Sequence, residues 1–326
     1  SFHIIDGGEG GSSQIAAGIY NPTVLKRFSL SWNGDLFHSY ALPFYEQLQS
    51  RLDSDFIHPA SIHKIFNKQS EHNYWVSASD QQGLKTFLDS KIHTNINDEI
   101  KASLGHGQVN HTGRVASQTL LESFRNSLQP EELTTETFEY DKLETSTLCI
   151  QYKQITAKHI VFCEGYQMVK NPFFKKLPLI GLKGEILIIK APSLKSKSIL
   201  KGPIFIAPIG DDLYWAGATF ERNDKTLSCT PQGRSWVEER IRKMISSDYE
   251  VIEHIGQIRP TVMDRRPIIG SHPDHQNVHL LNGFGARGVL GAPLLSKWLL
   301  DHIEGISELP AVVNLSRFES YFRQSD

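Results

Sequence analysis

The stretch Leu280-Leu281-Asn282-Gly283-Phe284-Gly285-Ala286-Arg287-Gly288-Val289 limits the folds open to this chain more than any other. It reads as a buried strand, a glycine-rich turn and the opening of a helix. Gly283, Gly285 and Gly288 let the backbone turn sharply and approach a ligand closely. Leu290, Leu294, Trp298 and Ile303 recur at roughly helical spacing, which predicts a helix from about Val289 to His302. Backbone N–H groups at such a helix start are orphan donors, and the helix dipole favours negative charge there. Just upstream lie Arg259-Pro260-Thr261, Asp264, Pro267 and Gly270. An ordinary strand–turn–helix accounts for the glycines of the second segment but not for this first one.

Together the two segments resemble the C-terminal flavin-binding part of the D-amino-acid-oxidase-like (DAO) superfamily of FAD-dependent oxidoreductases. That group includes glycine oxidase, sarcosine oxidase and the oxidase domain of the tRNA-modifying methylaminomethyl-uridine enzyme. The resemblance runs in order over essentially the whole chain. It implies an α/β fold, with an incomplete Rossmann-like FAD-binding domain and a mixed-sheet (α+β) substrate domain. It places Gly283, Gly285, Ala286, Arg287, Gly288 and Val289 beside the cofactor, FAD.

The N-terminal Phe2–Asp6 reads as a short buried strand ending in a carboxylate, followed by a glycine/serine loop. The loop fails as a dinucleotide fingerprint, because Ser13 stands at the third glycine position and Asn21-Pro22 interrupts a helix from Ser12. A carboxylate ending an apolar strand instead marks the second strand of a Rossmann unit, where it accepts hydrogen bonds from ribose hydroxyls. By the resemblance, Asp6, Ser12, Ser13, Ala16, Ala17 and Gly18 match cofactor-binding positions. The first strand, the G-x-G-x-x-G turn and the first helix of such a unit are absent from this sequence. An incomplete chain is therefore the expectation, and it bears on cofactor occupancy more than on fold.

Cofactor-like motifs occur at three separated places, which predicts a discontinuous architecture. Residues 1–35, 105–170 and 255–326 are expected to build the FAD-binding domain. Residues 36–104 and 171–254 are expected to build the substrate domain. A helix from about Asp35 to Leu52 is expected to bury Leu36, Tyr40, Phe44, Leu48 and Leu52. Leu148–Tyr152 and Ala157–Gly165 are read as a strand pair, and Cys163 as a core residue. Gly165 matches a family glycine that packs near the cofactor diphosphate, with Glu164 in place of a small residue. A hairpin is expected around Gly210-Asp211-Asp212.

The 326 residues carry a formal net charge of -2 from 34 basic and 36 acidic side chains. Nothing in that balance favours nucleic acid or an anionic membrane. Cys149, Cys163 and Cys229 are too scattered for a disulfide framework or a CxxC metal site. His58, His63, His72 and His93 lack compact ligand spacing, so no metal is expected. No apolar run reaches the ~18 residues of a membrane helix, and a cytoplasmic setting is the default. Oligomeric state is left open.

The chemistry the resemblance implies is oxidation of a C–N bond in an amino-acid or secondary-amine substrate, with hydride transfer to flavin. Arg259 matches a family position that holds a substrate carboxylate, and a planar guanidinium suits that task. Bracing the Asp264 loop is its structural alternative. Arg27 and Lys26 either reach the flavin edge or an acidic substrate, or form a solvated basic pair. Rival readings are an inactive or cofactor-poor FAD-fold protein, a flavin dehydrogenase, and a tRNA-modifying oxidase on the same fold.

Overall fold

The computed structural model describes residues 1–8, 10–94 and 97–323. The chain opens with β1 (Ile4–Ile5), the short helix α1 (Ser12–Ile15), β2 (Ile19–Tyr20) and the hairpin of β3 (Thr23–Val24) and β4 (Ser29–Leu30). Helix α2 (Gly34–Leu52) and strand β5 (Ile57–Pro59) follow.

An eight-stranded mixed sheet forms the larger layer. Its strands are β6 (Ile62–Ile65), β7 (Leu88–His93), β8 (His106–Val109), β15 (Leu182–Lys190), β16 (Ile199–Lys201), β17 (Phe205–Gly210), β18 (Leu213–Gly217) and β19 (Glu250–Arg259). They run in the order β19-β15-β18-β17-β16-β6-β8-β7. Only β16 and β6 pair in parallel. The β17–β18 pair is the expected hairpin, turning at Asp211-Asp212.

Successive residues of a strand point to opposite faces. One face sends Leu187, Ile189, Ile206 and Ala216 against α5 (Pro231–Met244), which answers with Val237, Ile241 and Met244. The other face sends Ile62, Val109, Ile199 and Ala207 toward α3 (Ser70–Ser79), where Trp75 is fully buried. Leu25, Phe28 and Leu30 of the β3–β4 hairpin close this second core.

Smaller sheets make up the rest. β9 (Gly113–Val115) joins β2 and β5, leading into α4 (Ser117–Ser127). β1 lies parallel to β10 (Leu133–Thr134). β11 (Leu143–Thr145), β12 (Ile150–Tyr152) and β13 (Ile155–Ala157) form an antiparallel meander. β14 (Ile160–Phe162) runs parallel to β21 (Val278–Asn282), which pairs with β20 (Ile268–Ser271). The expected pairing of 148–152 with 157–165 is thus corrected. Ile150–Tyr152 pairs with the tight-turn neighbour Ile155–Ala157, while Ile160–Phe162 crosses to Val278–Leu280. Helix α6 (Gly288–Ile303) and the short α7 (Glu319–Phe322) follow.

Helix α2 packs on α6 through Phe37, Ala41, Tyr45, Leu290, Leu294 and Leu295. The expected stripe on α2 is corrected, since Leu36 is 46% and Phe44 39% exposed. Residues at a spacing of four drift about 40° per step on a helix of 3.6 residues per turn, so such a stripe winds off one face. Cys163 is exposed rather than in the core. Strand β8 belongs to the eight-stranded sheet although it lies within the expected 105–170 segment, and β19 extends that sheet past residue 255. Among the described residues, no helix is long and apolar enough to cross a membrane.

Candidate active site

Six separated segments converge beside the sheet face that carries Arg259. The loop before α1 meets β19, where Gln257 Nε2 donates to the Gly10 carbonyl at 2.8 Å. The end of α1 meets β18, where Trp215 Nε1 donates to the Ile15 carbonyl at 2.9 Å. Behind α1, Ser117 Oγ of α4 donates to the Ser13 carbonyl at 2.6 Å. The 259–261 turn meets the glycine turn, with the Gly285 N–H donating to the Pro260 carbonyl at 2.8 Å. Asn282 Nδ2 reaches the Gly165 carbonyl at 2.8 Å, so β21 also draws in the loop after β14.

The residues singled out from the sequence sit around this junction in different roles. Asp6 follows β1; one carboxylate oxygen accepts from the Gly8 N–H and the other pairs with Arg125, and the side chain stays 45% exposed. Ser12 and Ser13 lie in α1, and no side chain caps that helix. Ala16 is exposed and Ala17 buried. Gly18 adopts a left-handed φ of +68°, and a Cβ there would strike the Val115 carbonyl. Gly283 is likewise closed in by Val262 and the Ile268 N–H. These two glycines are required by backbone packing. At Gly288, by contrast, the first atom a Cβ would meet is Phe284 Cβ at 3.7 Å, and at Gly165 there is none within 4 Å. Ala286 and Arg287 are exposed, Gly285 and Val289 half-buried, and α6 begins with no side-chain cap at Arg287. Its first-turn N–H groups are therefore available to an anionic ligand. Tyr45 fixes this turn by donating to the Val289 carbonyl at 2.7 Å.

Arg259 ends β19, with its side chain laid over Gly184 of β15, where any Cβ would collide with the guanidinium. The guanidinium makes long contacts of 3.4 and 3.5 Å to the Thr219 carbonyl and lies 5.7 Å from the Phe220 ring centroid. Burial lowers its pKa. No carboxylate pairs with it among the described residues. Asp264, its expected structural partner, is taken by Arg317 at 2.9 Å and by the Arg266 N–H. A largely desolvated cation with only carbonyl company is costly. The geometry leaves it free for an anionic group.

Arg27 and Lys26 occupy the β3–β4 turn, both exposed. They line a cavity of about 650 Å³ together with Asn67, Glu71, Tyr74 and Gln81. Two sheet lysines, one buried and one half-buried, went unread from the sequence. Lys64, only 5% exposed, pairs with Glu71 at 2.9 Å. Lys201 lies over the Phe205 ring at 4.5 Å. Strand patterning carries no signal for either, because their proximity depends on the parallel β16–β6 pairing of distant segments.

Glu185, Cys229 and His254 place ligand-type atoms within 4.8 Å of one another. The Glu185 carboxylate already accepts from the Thr230 N–H and Oγ1, with Lys183 Nζ 3.9 Å away. It ties β15 to the start of α5. The His63 and His106 rings lie with centroids 4.4 Å apart, tilted by 37°, and burial lowers both pKa values to about 4.

A family model described as FAD dependent oxidoreductase matches residues 4–302. The chain belongs to this DAO family. One structural neighbour, L-alpha-glycerophosphate oxidase from Mycoplasma pneumoniae, is a structure with FAD bound. It is 26% identical over 179 residues to the tRNA 5-methylaminomethyl-2-thiouridine biosynthesis bifunctional protein of Marinobacter nauticus, covering 50% of this chain and 28% of that protein. It is 25% identical over 156 residues to glycine oxidase of Bacillus subtilis, covering 46% of this chain and 42% of the relative. The matches thus span well under half the length of these curated relatives. Among solved structures, glycine oxidase from Geobacillus kaustophilus superposes with a TM-score of 0.76 at 17% identity, covering 94% of this chain and 88% of that one. Iminodiacetate oxidase from Chelativorans sp. BNC1 gives 0.75 at 16% identity, covering 96% and 92%. At such identities the superpositions establish the DAO fold.

Proposed function

We propose that this DAO-family protein oxidises the carbon–nitrogen bond of an amino acid or secondary amine. The observation that carries the reading is Arg259, a half-buried guanidinium with no carboxylate partner among the described residues, held over Gly184 between the Gln257–Gly10 and Pro260–Gly285 contacts. A substrate carboxylate supplies the anion it lacks, and the fork of N–H donors fixes that carboxylate in orientation. Bound FAD supplies the hydride acceptor at the carbon next to nitrogen. Asp6 would hold ribose hydroxyls, and the open space at Gly165 and Gly288 would admit the diphosphate and the ring system. The uncapped first turn of α6 presents donors to negative charge. Trp215 and Ile186 offer an apolar wall that keeps water from the reacting carbon.

The division into two discontinuous units belongs to the same proposal, with β8 and β19 counted in the substrate sheet and α2 counted with α6. Three free cysteines accord with a reducing compartment such as the cytoplasm. Oxygen consumption by the FAD-loaded protein over a panel of amino acids and secondary amines tests the reading. Turnover of at least one carboxylate-bearing amine is expected. Reduction of the flavin without oxygen uptake would move the assignment to a dehydrogenase. The relative named for tRNA 5-methylaminomethyl-2-thiouridine biosynthesis supports a second reading, in which the amine is carried on tRNA. Adding undermodified tRNA to the same assay separates the two.

A further inference from the structure

We infer that Glu185, Cys229 and His254 form a binding site for one divalent cation of the zinc class, on the face of the large sheet opposite Arg259. The site stands apart from the amine-oxidising reading and does not depend on it.

Strand register brings two of the donors together. Glu185 of β15 pairs with Gly256 of β19, and Leu187 pairs with His254, so Glu185 and His254 project from one face. Side chains alternate along each strand, which puts Gly184 and Arg259 on the other face. The third donor comes from the segment leading into α5, which crosses over the Glu185 face. A Cβ at Gly256 would lie 2.7 Å from the Leu227 carbonyl, so the glycine gives that segment room. Two residues further on, the Cys229 thiol donates to the His254 carbonyl at 3.1 Å. A carboxylate oxygen, the thiol sulfur and an imidazole nitrogen then fall within 4.8 Å of one another. Zinc ligands at about 2.0–2.3 Å and tetrahedral angles stand roughly 3.3–3.6 Å apart, so shifts of about an ångström in the Cys229 segment close the triangle.

His254 is the group that lacks a partner. Its Nε2 is buried and makes no hydrogen bond, although Glu185 Oε2 lies only 2.8 Å away. Two ligand atoms that approach without a hydrogen bond between them are arranged as they would be around a shared cation. The charges agree. Lys183 is fully buried between two carboxylates; Asp224 takes its ammonium in a direct ion pair, and Glu185 stands 3.9 Å off. One ammonium for two carboxylates leaves one negative charge in excess in a desolvated corner. A Zn²⁺ ion that displaces the Cys229 proton to solvent adds one positive charge there and makes the corner neutral. Glu185 is also braced as metal-bound carboxylates are, because Thr230 donates to it through its N–H and its Oγ1, each at 2.9 Å. Thiolate, imidazole and carboxylate together suit zinc rather than magnesium or calcium, which take oxygen ligands. The exposed side of Cys229 offers a path of entry and a fourth position for water. Residues 185, 229 and 254 sit on separate segments, so spacing along the chain carries no sign of them.

The test is calorimetric titration of the FAD-loaded full chain with Zn²⁺, paired with iodoacetamide labelling of its cysteines read by mass spectrometry. One equivalent of Zn²⁺ is expected to bind and to slow labelling of Cys229 by roughly ten-fold or more, since only the free thiolate reacts. Cys149 should label at its zinc-free rate. Cys229→Ser and His254→Gln should each abolish the binding, and Cys149→Ser should keep it. Thermal melting of the two zinc-free variants close to that of the zinc-free wild type is expected, which separates loss of a ligand from loss of the fold. Binding should weaken as pH falls, because the thiol and the imidazole must be free of their protons to bind. No Zn²⁺ binding by the wild type, binding that survives in both Cys229→Ser and His254→Gln, or equal zinc protection of Cys149 and Cys229 would overturn the site.

Discussion

Arg259 and Asp264 lie on one segment yet serve different ends. Asp264 is spent on Arg317 and on its own loop, whereas Arg259 has the Thr219 carbonyl and the Phe220 ring but no carboxylate among the described residues. We predict that Arg259→Ala lowers kcat/KM for an amino acid by roughly ten- to 150-fold, the equivalent of ~1.5–3 kcal/mol, and spares the matching simple amine. Arg259→Lys should not rescue, because it keeps the charge but loses the fork. Equal losses on both substrates in steady-state kinetics would assign Arg259 a structural role. The glycines divide in the same way. Gly18→Ala should destabilise the fold by more than about 2 kcal/mol, read by urea denaturation, since it drives a Cβ into the Val115 carbonyl at a positive φ. Gly288→Leu should leave stability near wild type but abolish flavin retention, since its side chain would fill space the backbone leaves open. A yellow, flavin-loaded Gly288→Leu protein would contradict the placement. Neither distinction was legible in the sequence, where all these glycines look alike. What separates them is the backbone of Val115, or the Val262 side chain and the Ile268 N–H, brought up by tertiary packing.

At the scale of elements, α5 and the histidine pair are the readable devices. Thr230 caps α5 by accepting from the Gly233 N–H at 2.9 Å, and its hydroxyl also binds Glu185. Thr230→Ala should cost about 1–2 kcal/mol in the same denaturation assay. His106 of β8 is buried, and its pKa is lowered to about 4 by burial and by His63 and His93. Its folded pKa lies below its unfolded value of about 6.5, so the neutral form is favoured by folding. The stability it contributes is complete above pH 6.5 and is lost as pH falls toward 4. His106→Gln should flatten that acid limb by on the order of 1–3 kcal/mol. An unchanged limb in pH-dependent melting would contradict the account. The sequence predicted α6 and the β17–β18 hairpin because each is local, with its turn and period written in neighbouring residues. It misplaced the α2 face because a spacing of four only approximates the helical period. It also mispaired the strands around 150–165 because β14 finds its partner in β21, far along the chain.

For the whole molecule, order along the chain was enough to recognise the DAO fold, while the cleft depends on pairings that bring distant segments together. Arg259 lies over Gly184 only because β15 and β19 pair in register, and the same pairing sets Glu185 beside His254 on the opposite face. A glutamate in a strand read alone belongs by default to the solvent side, and nothing local marks Glu185 otherwise. The central claim is that this face and the α1 and α6 starts together form an amine-oxidising flavin site. Anaerobic mixing of the FAD-loaded protein with a panel of amino acids and secondary amines, followed by its visible absorbance, tests it most directly. The account predicts that the yellow oxidised flavin bleaches with at least one carboxylate-bearing amine, and that Arg259→Ala slows the bleaching. A protein that holds FAD and stays yellow across the whole panel would contradict it.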